Sequence, residues 1–113
     1  MSRPFRGEIW LVTLDPTVGR EQAGTRPALV ISDNLFNHSH AELVVVLPIT
    51  SKSKNIRSHV EVAPPDGGLN ATSYIKCEDI RSISIQRLVR RLGKVMAKTM
   101  DEVEIRLRFI LSL

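Results

Sequence analysis

The chain has 113 residues, the length of one domain around one modest core. Hydrophobic residues make up 42%, enough to fold, and the formal charge of +4 leans weakly towards a polyanionic partner. A lone cysteine, Cys77, excludes a disulfide framework, and no run approaches the roughly 18 apolar residues of a membrane span. The three histidines, His38, His40 and His59, lack a ligand spacing, so neither metal nor cofactor is expected. Residues 1–6 hold no apolar signal-peptide core, and the expected location is the cytoplasm.

In chain order, Glu8 to Leu14 is rich in β-branched and aromatic residues and predicts a strand stopped by Asp15-Pro16. A polar loop follows to Thr25, with Gly19 and Gly24 as its flexible points. Pro27 is expected at the first position of the next strand, where its missing N–H is tolerated. Asp33-Asn34 predicts the cap of a short helical turn. Leu43 to Ile49 is a continuous apolar run, which predicts a strand buried on both faces.

The basic segment from Thr50 to Ser58 interrupts that run, and His59 to Ala63 alternates as a half-buried strand. Pro64-Pro65-Asp66-Gly67-Gly68 is the strongest turn signal in the chain. Short strands are expected near Ser73–Cys77 and Ile80–Ile85, and Gly93 is expected to separate Leu92 from Lys94–Met96. The C-terminal segment predicts a helix. Thr99 and Glu102 have capping-box spacing, Glu102–Arg106 and Glu104–Arg108 are i,i+4 pairs, and Val103, Leu107 and Ile110 form one apolar stripe. Ile105 and Phe109 form a second stripe, suited to a partner subunit or antagonist. Several short strands and one terminal helix predict a mainly β chain, a small antiparallel barrel, with residues 1–113 as a single domain.

Two segments carry candidate chemistry. In Gly19-Arg20-Glu21-Gln22-Ala23-Gly24-Thr25-Arg26-Pro27, a polar loop plunges into a buried strand at Arg26. In Pro48-Ile49-Thr50-Ser51-Lys52-Ser53-Lys54, a buried strand ends in hydroxyls and lysines. Guanidinium, hydroxyl, carboxylate and ammonium groups together suit a phosphodiester.

These segments, with Gly7-Glu8-Ile9-Trp10, Glu78-Asp79-Ile80-Arg81-Ser82-Ile83, Arg87-Leu88 and Leu92-Gly93-Lys94-Val95, resemble the MazF/PemK toxins across essentially the whole chain. The resemblance implies an SH3-like barrel of the MazF/PemK/CcdB kind and a homodimer. It also implies metal-independent cleavage of single-stranded mRNA, and a cognate antitoxin whose disordered tail blocks the RNA groove. It makes Arg26 and Thr50 the catalytic pair and implicates Glu21. Some members carry a loop histidine that this sequence lacks; Thr25 precedes its arginine. Others pair an arginine with an aspartate where Lys76-Cys77-Glu78 stands here.

If the RNA 2′-hydroxyl attacks the adjacent phosphate, Arg26 suits the phosphorane and Thr50 can donate to it, but neither is a good base. By elimination the base is Glu21 or Glu78. Thr25, Ser51, Lys52, Lys54, Lys76, Glu78 and Arg81 are the expected RNA-binding residues, with Arg57 added from the same loop as Lys52 and Lys54. The alternative is a non-catalytic toxin of the same barrel that poisons DNA gyrase, since fold alone does not give function.

Overall fold

The computed structural model describes residues 3–14 and 24–113. Its strands are β1 (Glu8–Thr13), β2 (Thr25–Val30), β3 (Leu43–Thr50), β4 (His59–Val62), β5 (Ser73–Lys76), β6 (Arg81–Ser84) and β7 (Leu88–Lys94). Two helices accompany them, α1 (Asn34–Asn37) and α2 (Ala97–Leu111). The strands form one antiparallel sheet in the order β4-β5-β3-β2-β1-β7, and β6 also pairs with β3.

The central strands bury both faces, because alternate residues point to opposite sides. Ile9, Leu29, Leu47 and Ile49 enter one cluster, which Val60, Val62, Ile75, Cys77 and Val103 complete. Trp10, Val12, Ala28, Val30, Val44 and Val46 enter the other, closed by Ile83, Ile85 and Leu88. This is why Leu43–Ile49 reads as an unbroken apolar run. Pro48 survives inside it for a topological reason. On that edge β3 pairs with β6 through Val46 and with β5 from Ile49, so Pro48 falls between two partners and owes no ladder bond there.

The sequence expectations fail at four points. Pro27 is the third residue of β2, not the first; its ladder with β3 begins only at Ala28. Gly93 lies inside β7 rather than ending a segment. A Cβ there would meet the Gly67 backbone at 2.7 Å, so glycine lets β7 lie against the Gly67-Gly68 turn. The capping box does not form, because α2 starts at Ala97 and Thr99 is already inside it. Buried Asp66 takes its place: its carboxylate accepts from the Met96 amide at 2.8 Å and from Thr99 Oγ1 at 2.6 Å. Finally, Glu104 pairs with Arg6 at 2.7 Å instead of Arg108, whereas Glu102–Arg106 forms at 3.0 Å. Asp33 caps α1 as expected, its side chain accepting from the Leu35 amide.

Trp10 is core, and its indole N–H donates to Glu8 at 2.9 Å. Glu8 also accepts from the Phe5 amide at 2.8 Å and from Arg91 at 2.7 Å. Burial pushes the Glu8 carboxyl up, but the Trp10, Phe5 and Arg91 donors outweigh it and hold it below the ordinary carboxylate value. Its contribution to stability is therefore full above the unfolded-state pKa and is lost as pH falls through the folded one. Glu8→Gln is expected to cost about 1–3 kcal/mol at neutral pH. Urea unfolding at pH 7 and in acid should show the gap from wild type shrinking in acid; an equal gap at both would contradict this role.

Candidate active site

The site grows from the strand register. Ala28 of β2 pairs with Pro48 of β3, and two residues further along both strands are Arg26 and Thr50. On the other side of β3, Thr50 pairs with Tyr74 of β5, and Lys76 of β5 pairs with His59 of β4. Residues directly opposite share a face, so Thr50, Tyr74, Lys76 and His59 lie on one side of this sheet corner. Ile49, Val60 and Ile75 lie on the other, in the core.

There a groove of about 650 Å³ is lined by Arg26, Thr50, Ser51, Lys52, Lys54, Ile56, His59, Lys76 and Glu78. Four of these side chains are cationic and one is a carboxylate, which suits a polyanion that also needs a base. The Thr50 hydroxyl oxygen accepts from the Lys52 amide at 3.1 Å, so the hydroxyl can still donate its own proton. The Lys76–Asp79 segment turns, closed by the Asp79 amide on the Lys76 carbonyl at 3.1 Å. Cys77 is driven inward, and burial pushes its thiol up to about 11, so it is an inert core residue.

Glu78 stays at the groove, gripped at both oxygens. Ser58 Oγ donates to Oε1 at 2.7 Å, and His59 Nε2 lies 3.0 Å from Oε2. Burial raises the Glu78 carboxyl, but the Ser58 hydroxyl, its own amide and the His59 ring together lower it below the ordinary value. It is ionised at neutral pH and free to accept a proton.

The family model for PemK-like, MazF-like toxins of type II toxin–antitoxin systems matches residues 5–111. The chain belongs to this family. It is 42% identical over 109 residues to endoribonuclease PemK of Escherichia coli, covering 95% of this chain and 81% of that one. It is 33% identical over 109 residues to endoribonuclease EndoA of Bacillus subtilis, covering 96% and 94%. Among solved structures, MazF of Deinococcus radiodurans matches with a TM-score of 0.85 at 26% identity over 100% of both chains. The same species' MazE–MazF assembly matches at 0.82 and 27% identity, covering 100% of this chain and 99% of that one.

Of the residues expected to serve this PemK/MazF chain, the groove gathers Arg26, Thr50, Ser51, Lys52, Lys54, Lys76 and Glu78. Thr25 is exposed at the start of β2, outside the groove lining. Arg81 sits outside it too and pairs with Asp79, as Lys76 does. Glu21 lies outside the described residues. Arg57 faces a separate apolar groove with Ser58, Ile105, Arg106, Phe109 and Ile110. His59 was missed, since in sequence it only opens a half-buried strand. Nothing in that alternation singles it out, because with Glu61 it stands on the side opposite Val60 and Val62.

Proposed function

We propose that this type II toxin acts as a cytoplasmic endoribonuclease on single-stranded mRNA, using the Arg26–Thr50–Glu78 groove. The observation that carries the reading is the groove itself: it sets a permanent cation, a hydroxyl donor and an ionised carboxylate among three lysines. In the reaction the RNA 2′-oxygen attacks the adjacent phosphorus and its proton passes to Glu78. The bond to the 5′-oxygen breaks, leaving a 2′,3′-cyclic phosphate, and the Lys76 ammonium supplies the departing oxygen with a proton. Arg26 holds two non-bridging oxygens with its fork as negative charge builds, and Thr50 donates to the same phosphate. Lys52 and Lys54 hold the flanking backbone without reading bases.

The endoribonuclease names of the relatives favour this reading over the gyrase poison. No helix among the described residues is long and apolar enough to cross a membrane. The partners are a second copy of the chain and a cognate antitoxin; a solved mycobacterial endoribonuclease in complex with its cognate antitoxin supports the second. The exposed Ile105–Phe109 stripe of α2 offers apolar surface for a protein contact.

Purified protein incubated with a long single-stranded RNA in excess chelator should yield discrete fragments, because no step requires a metal. Intact RNA, with gyrase cleavage complexes trapped instead, would support the alternative.

A further inference from the structure

We propose that His59 is a positioning residue for Glu78: with Ser58 it fixes the carboxylate in the groove, one donor to each oxygen. The inference rests on Glu78 being the base. Its geometry is a two-point clamp from consecutive residues, Ser58 Oγ on one carboxylate oxygen at 2.7 Å and His59 Nε2 on the other at 3.0 Å. An ionised carboxylate only accepts, so this contact places a proton on Nε2. Each oxygen keeps a further lone pair, which can face the groove and receive the 2′-hydroxyl proton.

The burial of His59 argues that the contact is its purpose. The side chain is 4% exposed although it stands on the groove side of the sheet, opposite the core face of Val60 and Ile75. Its Nδ1 is, among the described residues, the one buried side-chain nitrogen or oxygen without a hydrogen-bond partner. An apolar residue would fill the space without leaving that atom unsatisfied. The ring therefore earns its place through Nε2.

The test is steady-state cleavage of a short single-site RNA oligonucleotide against pH by wild type, His59→Ala, His59→Gln and Glu78→Gln, each checked for folding by thermal unfolding. His59→Ala should lower kcat by about 10²-fold, as a displaced catalytic group does, with KM within about twofold. His59→Gln, whose amide can still donate to the carboxylate, should recover most of the rate. The acidic limb of His59→Ala should lie at higher pH than wild type's, because one of the donors that hold the Glu78 carboxyl low is gone. If His59→Ala fails to fold, His59→Gln decides alone: a folded Gln variant as slow as Glu78→Gln overturns the proposal. Wild-type rates and profiles in both His59 variants, with Glu78→Gln inactive, would overturn the role of His59 and leave the base in place. Full activity in Glu78→Gln would bring down the base, and this inference with it.

Discussion

Arg26→Ala is expected to lower kcat/KM for RNA cleavage by about 10³-fold, the scale of losing a preorganised donor to a developing oxyanion. The folded state should be unaffected to within about 0.5 kcal/mol. Arg26 is only partly buried, has no charge partner among the described residues and faces the groove, so its removal disturbs chemistry rather than packing. Arg26→Lys should recover part of the loss, because an ammonium keeps the charge but not the fork. Thr50→Ala removes one neutral donor and should cost less than Arg26→Ala. Single-turnover rates with matched unfolding curves check all three. A near-wild-type rate in Arg26→Ala would remove the centre of the mechanism.

Glu78→Gln is expected to lower kcat by about 10²–10⁴-fold, the range for losing a general base. The substitution is nearly isosteric, so binding and fold should persist. The Ser58, backbone-amide and His59 donors that hold the wild-type carboxyl below its ordinary value keep it ionised at neutral pH. Activity should therefore fall in acid, as the carboxylate takes up a proton. Glu21→Gln in parallel separates the two candidates. With Glu78 as base, Glu21→Gln retains most activity, and the opposite pattern would transfer the role to Glu21.

Much of the fold was legible because its signals are local. The apolar run of β3, the alternation of β4 and the Asp33 cap each report a local rule, and each element formed. The misreadings arose where a distant group supplied what the local pattern lacked. Asp66 caps α2 from 30 residues upstream of Met96, so Thr99 never needs Glu102. Gly93 reads as a break, yet it is a contact with Gly67 that appears only once β7 is folded onto that turn.

The site divides the same way. Arg26, Thr50 and the Lys76–Glu78 segment stand at strand ends, where sequence and family pattern both point. Their convergence in one groove depends on the β2–β3–β5–β4 order, which no window of sequence contains. His59 was hidden for that reason. Its partner is 19 residues away, and a histidine on the polar side of an alternating strand gives no signal until Glu78 is seen beside it.

The most direct measurement is cleavage of one RNA oligonucleotide carrying a single 2′-deoxy substitution at the scissile nucleotide, compared with its all-ribose parent. The internal attack that the groove is built to assist predicts that the parent is cut to a 2′,3′-cyclic phosphate end. The substituted strand should bind with similar affinity and remain intact. Cleavage of the deoxy strand at the same bond would contradict the account.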